Sequence, residues 1–237
     1  MRYLSRTKVY QKIELLKEAK KVYIFCEGEV TEVKYFKYFK GLSSNIDIIP
    51  IPNDNGKSDP LKLKQNADLL FFGNKTNPPK FHLNEVDTDE IWFVIDTDEW
   101  NEGNKIQQLK EYCISKNTIN NKWSVVQSNP CFEMWLYFHF NEIKPTDADV
   151  AQFGTFKEYV NDKIKGGFDN RSMPIELESA IINSLTNFEY SNDQPMLYST
   201  DVHKLGEVII PFVKTQMDKA REMMQYQEAR QQLTLDL

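Results

Sequence analysis

The sequence predicts an α/β fold: a mostly parallel, four-stranded sheet with flanking helices, followed by a C-terminal helical annex. Three observations carry that prediction. Short β-branched and aromatic runs alternate with helical periodicities as far as residue 128, the order that builds a parallel sheet with right-handed crossovers. One run, EIWFVID (90–96), is continuously apolar, as strands are when both faces are buried. Beyond Ser128 the periodic segments repeat only at helical spacing.

Taken in order, residues 9–21 place Val9, Ile13, Leu16 and Ala19 at helical spacing and predict a first helix. VYIFCE (22–27) runs into Gly28 and reads as a buried strand entering a tight turn. Thr31 is placed to cap the next helix, TEVKYFKYFKGL, and Gly41 to end it. IDIIPIP (46–52) is a second strand whose prolines place it at or near a sheet edge. NDNGKSD (53–59) is a loop, and a helix starts at Pro60. After an irregular connection comes the strand EIWFVID, then a helix over 104–116 and a fourth strand, KWSVVQS (122–128). CFEMWLYFHF and the segments 150–165, 175–189 and 202–226 are helical, with GGF (166–168) and SNDQP as breaks. Residues 1–128 thus form an α/β core with a basic N-terminal helix, and residues 129–237 an annex packed on it.

With 41% apolar and 13% aromatic residues in 237, the chain has ample material for a packed interior. No apolar run approaches the roughly 20 residues of a membrane span, and no secretory signal is evident at the start, so a cytoplasmic protein is expected. Cys26, Cys113 and Cys131 are odd in number and lack CxxC spacing, which excludes a disulfide framework and makes them small buried hydrophobes. A net charge of −6 argues against non-specific coating of DNA. The N-terminal region nevertheless concentrates Arg2, Arg6, Lys8, Lys12, Lys17, Lys20 and Lys21, followed by Lys34, Lys37 and Lys40. Such a run is either a polyanion-binding surface or a solvated face.

In open parallel sheets, ligands bind beyond the carboxyl ends of the strands. Two predicted strands end there in acids: Glu27 after VYIFC, and Asp96 with Asp98 after IWFVI. Carboxylates gathered at one edge repel unless a cation neutralises them. Such oxygen ligands suit Mg2+ or Mn2+, which retain water for a substrate phosphate and promote phosphoryl displacement. The competing reading makes Asp96, Asp98 and Glu99 a loop start and helix cap. Glu27 weighs against it, because a glutamate closing a buried strand is destabilising without partners.

These residues also carry a resemblance. CEGEVTEVKYF (26–36) resembles the glutamate motif of Toprim domains in the form EGxxTExxYF, found in OLD-like nucleases and the RloB family, and IWFVIDTDEW (91–100) is similar to their DxD motif. SNPCFEMWLYFHF (128–140) resembles the RloB hallmark SNPxFExWxxxHF, which other Toprim proteins lack. STDVHKLG (199–206) is similar to the threonine-bearing segment near the end of that family, so the resemblance spans most of residues 20–215. It implies that Glu27 is an acid/base or metal ligand, that Asp96 and Asp98 bind metal, and that Glu32 holds a second metal or a bridging water. It also brings Asn129, Glu133 and His139 to the site. The implied protein is a Toprim-type, Mg2+-dependent endonuclease acting on DNA or RNA, transfer RNA included. Its setting would be prokaryotic abortive-infection defence of the AbiL kind, beside an AAA- or ABC-type ATPase. The alternative is a catalytically inactive Toprim-like subunit that regulates that ATPase; the presence of Glu27, Asp96 and Asp98 argues against it. A primase or topoisomerase shares the acids but is not expected, because these 237 residues show neither a separate tyrosine-bearing cleavage domain nor a zinc ribbon.

Further residues have two readings each. Glu133 and His139 lie about 120° apart around a helix, so one faces the site while the other packs. Phe132, Trp135, Leu136 and Phe140 read as core rather than a base-stacking platform. His139 is either a hydrogen-bonded core histidine or a catalytic group. Ser128 and Asn129 form a turn and cap or a substrate-contacting turn on the acid edge, with Lys34 and Lys37 as further substrate contacts. The apolar stripe of 202–226 packs on the annex in its first half, and its second half is expected to meet a second copy or the ATPase.

Overall fold

The computed structural model describes residues 12–53, 59–83, 88–97 and 104–235, with side chains as far as Tyr226. The elements run β1 (Lys20–Cys26), α1 (Thr31–Lys37), β2 (Ile46–Ile51), α2 (Pro60–Phe72), β3 (Asp89–Asp96), α3 (Lys105–Lys116) and β4 (Asn121–Asn129). The annex continues with α4 (Glu133–Tyr137), α5 (Asp147–Val150), α6 (Phe156–Lys163), α7 (Leu177–Thr186), β5 (Tyr190–Ser191), β6 (Gln194–Pro195), β7 (Ser199–Thr200) and α8 (His203–Leu235).

The main sheet has the order β2-β1-β3-β4-β7. Its first four strands are parallel, and β7 pairs antiparallel with the end of β4 through Ser128–Thr200 and Asn129–Ser199. The sheet is therefore five-stranded and mixed, where the sequence predicts four strands. The fifth escapes periodicity because it is two residues long and exists only through its tertiary pairing. β2 lies at the edge, as its prolines require.

Alternation along the inner strands divides the interior in two. Val22, Ile24, Trp92 and Val94 face one cluster, while Tyr23, Phe25, Ile91, Phe93 and Ile95 face the other. Helices α2 and α3 cover the second face through Leu63, Ala67, Ile106 and Leu109. The first face is shared with the annex: Phe132, Trp135, Leu177, Val202, Leu205, Ile209 and Val213 join the same cluster as the strands. Residues before and after Ser128 thus build one apolar core there.

Two helix expectations are corrected. Residues 12–19 are not helical, and β1 begins at Lys20. The amides of Ile13 and Leu16 donate to the carbonyls of Gly41 and Ser44 at 3.0 and 2.9 Å, so the segment is tied to the α1–β2 loop instead of to itself. The helix expected over 150–165 is split, because Thr155 accepts from the Glu158 amide and starts α6 as a new helix. SNDQP, read as a break, is the turn of the β5–β6 hairpin, with Asn192 and Asp193 at φ 51° and 59°.

Candidate active site

Parallel β1 and β3 are neighbours, so their carboxyl ends open at the same edge. Glu27 extends β1 by donating its amide to the Val94 carbonyl at 3.1 Å. Its side chain then turns onto β3, where Oε2 accepts the Asp96 amide at 2.6 Å. Two acids 69 positions apart are thereby held side by side, with Glu27 only 6% exposed. A buried carboxylate satisfied by a backbone N–H is a fixed one. Asp98, the third predicted ligand, lies outside the described residues.

Glu32 joins from α1. Thr31 is the first helical residue rather than the cap, and Val30 in the cap position makes no side-chain bond. Glu32 in the first turn instead folds back on the preceding turn, taking the Gly28 amide on Oε1 at 3.1 Å. This explains the glycine: a Cβ on residue 28 would overlap the Glu32 carboxylate. Burial pushes the Glu32 carboxyl above its ordinary value, against hydrogen bonds from its own amide and that of Gly28, and the Glu133 charge adds to the rise.

Glu133 opens α4 and completes the group. Its Oε1 lies 3.6 Å from Lys157 Nζ on α6. Burial, followed by the charges of Glu133 and Asp96, drives the Cys131 thiol far up, so Cys131 stays protonated between them. Burial works against the Lys157 ammonium, yet the charge of Glu133, with those of Asp96 and Glu32, holds it above the usual lysine value. Lys157, beside Glu133, is a neighbour of these acids that sequence reading does not pick out. Its only signal is tertiary, the packing of Tyr159 and Val160 on Met134, Tyr137 and Phe138.

The remaining candidates are used internally. Ser128 is fully buried with its hydroxyl 2.8 Å from that of Thr200, and Asn129 donates its amide to the Pro195 carbonyl at 2.9 Å. These contacts bring the SNP and STD segments together as the β4–β7 pair. His139 is 2% exposed, enclosed by Tyr35, Trp135 and Phe168. Its Nδ1 meets the Trp135 carbonyl at 3.0 Å, which fixes the proton there and leaves Nε2 to accept from the Tyr35 hydroxyl at 3.0 Å. Burial lowers its pKa to about 3, so it is a neutral, hydrogen-bonded core histidine. Phe132, Trp135 and Leu136 are core residues as expected, whereas Phe140 is 46% exposed.

Of the basic residues, Lys20 is committed to Glu90 at 2.7 Å and Lys40 lies 3.6 Å from Asp47. Lys34 and Lys37 are exposed on α1, with Lys37 close enough to the end of β1 for its charge to act on Cys26. Arg2, Arg6 and Lys8 lie outside the described residues.

No group of three or more His, Cys, Asp or Glu side chains among the described residues is arranged to hold a metal ion. Glu27 and Asp96, joined through the Asp96 backbone amide, carry carboxylates of the kind a hard divalent cation takes. All three cysteines are free and buried, and burial raises each thiol's pKa. A cleft of about 560 Å³ runs elsewhere, along β4 between α3 and α8, lined by Trp92, Lys110, Lys122, Tyr190 and Lys204. It contains none of these acids. No helix among the described residues is long and apolar enough to cross a membrane.

Comparison with curated proteins and with solved structures finds no match. Comparison with protein families matches residues 22–209 to the one described as RloB-like protein. That stretch takes in most of β1, the acids of both strand ends, α4 and the first turns of α8, and the chain belongs to the RloB-like family.

Proposed function

We propose that the acid edge is the active site of a Toprim-like, metal-dependent nuclease that hydrolyses phosphodiester bonds of DNA or RNA. The observation that carries this reading is the meeting of Glu27 and Asp96 across neighbouring parallel strands, joined by the 2.6 Å bond from the Asp96 amide. Carboxylates brought together with Glu32 and Glu133 repel, and a fold that fixes them this way has a use for a cation. Glu27, Asp96 and Asp98 would hold Mg2+ or Mn2+. That ion, when bound, supplies neutralising charge to a phosphoryl group and acidity to a coordinated water.

The chain's own residues supply the rest. Asp96, held by the β3 backbone, and Glu27, fixed by its hydrogen bond, orient the donors without side-chain reorganisation. Glu32, a buried acid with raised pKa, retains its proton more readily than a surface glutamate and suits proton transfer at the leaving oxygen. Lys34 and Lys37, exposed on α1, suit phosphate contact. We assign the biological setting as antiviral abortive infection in the cytoplasm with an ATPase partner, met by the exposed far part of α8, where Met223 and Tyr226 are 50% and 66% exposed. The test is to incubate the pure protein with mixed single- and double-stranded DNA and RNA, with and without Mg2+. Cleavage that requires the ion supports the reading. Absence of cleavage, in the presence of the ATPase as well, favours the regulatory-subunit alternative.

A further inference from the structure

Lys157 occupies an electrostatically awkward place. It is the second residue of α6, where the unsatisfied N–H groups of a helix N-terminus favour anions and disfavour ammonium groups. The helix itself is firmly set. Thr155 caps it, Phe156 stacks on Tyr198 at 5.6 Å, and Tyr159 is buried against Tyr137. Because Tyr137 belongs to α4, the same packing fixes α6 relative to the helix that carries Glu133. The Lys157 side chain is 62% exposed and the Glu133 side chain only 15%. A freely solvated lysine would turn away from a helix N-terminus. This one stays 3.6 Å from Glu133.

The acids explain why. Four acids lie along this edge, Glu27 after β1 with its carboxylate on the Asp96 amide of β3, and Glu32 of α1 close enough to Glu133 of α4 for their charges to interact. Lys157 lies against Glu133 at 3.6 Å, and the charges of Glu133, Asp96 and Glu32 act on it.

We propose that Lys157 is a positioning residue, the resident counter-ion of the acid edge, which holds Glu133 in place and competes with a divalent cation for the carboxylates. The counter-ion role stands on the 3.6 Å contact with Glu133, while the competition rests on the nuclease reading above. An exchangeable ammonium solves a problem that any metal site of this kind poses, namely how the apo protein tolerates its own ligands. Its exposure leaves it free to swing out as a cation enters, and the stem can then present the charge to a phosphate.

The experiment is a calorimetric titration of Mn2+ into the full chain for the parent, Lys157→Met and Lys157→Arg. Removing one positive charge from a partly solvated site should tighten Mn2+ binding about three- to tenfold, while Lys157→Arg stays near the parent. A lysine with a merely structural role would lower Tm and leave the affinity alone. Unchanged or weaker binding in Lys157→Met overturns the competition. Should the parent bind no Mn2+, the nuclease reading falls, and the counter-ion claim is read from a urea-denaturation cycle of Lys157→Met, Glu133→Gln and the double variant. The claim requires Lys157→Met to be less damaging in the Glu133→Gln background than in the parent. Equal damage in both overturns it.

Discussion

Lowering the pH from 7.5 to 5 should destabilise this protein through His139. Its ring is 2% exposed, and burial takes its pKa from 6.5 to about 3. A histidine with a depressed folded-state pKa binds its proton more readily in the unfolded chain, so protonation favours unfolding. The stabilising effect of keeping it neutral is intact above pH 6.5 and is lost as the pH falls from there toward 3. At pH 5 the gap is one and a half units below the unfolded value, which corresponds to about 2 kcal/mol. His203, also buried and lowered by desolvation, adds in the same direction. The assay is urea unfolding at pH 7.5 and 5 for the parent and for His139→Phe. At pH 7.5 the variant should lose about 2–4 kcal/mol, because the Tyr35 hydroxyl and the Trp135 carbonyl are left without their partner in the core. Adding Tyr35→Phe should recover part of that loss. Between the two pH values the variant should show about 2 kcal/mol less pH-dependence than the parent. An undiminished pH-dependence in His139→Phe refutes the assignment of this histidine as a neutral core group.

Two further outcomes follow from the geometry of α1. Gly28→Ala should displace the Glu32 carboxylate, which a Cβ would overlap, lowering stability by about 1–2 kcal/mol and Mg2+-dependent cleavage by more than that loss explains; thermal melts and initial rates read the two separately. Replacing Lys34, Lys37 and Lys40 with Glu should lower the log–log salt slope of nucleic-acid binding by about two units, since Lys40 already faces Asp47 and contributes least. A slope equal to the parent's makes these lysines solvated surface.

The parallel strands were legible because burial on both faces writes a continuous apolar run, and EIWFVID could be little else. The acids at their ends were legible for a related reason: polar residues closing buried strands stand out against the run. What failed was local. Residues 12–19 have helical spacing, but their amides bond to the 41–45 loop, a tertiary choice that periodicity does not encode. Thr31 has the chemistry of a cap, yet it is the first residue inside α1, with Val30 in the cap position and no side-chain cap bond. Ser199 and Thr200 carry no strand pattern at all and are a strand only because Ser128 and Asn129 lie opposite. At the acid edge, Glu27 and Asp96 stand out by their place at strand ends, whereas Lys157 is visible only after α6 has packed on α4. Ser128, Asn129 and His139 show the reverse case, chemically suggestive residues whose hydrogen-bonding capacity the fold uses internally.

The central claim is that Glu27 and Asp96 form the metal-dependent hydrolytic edge. Glu27→Gln tests it most directly, because the amide oxygen retains the acceptor for the Asp96 N–H while the negative charge disappears. Cleavage of nucleic acid and calorimetric Mn2+ binding are to be measured on one preparation of this variant, with Tm as the check on folding. Loss of both with Tm within a few degrees of the parent is the predicted result. Parent-like Mn2+ affinity and cleavage in a folded Glu27→Gln protein would contradict it.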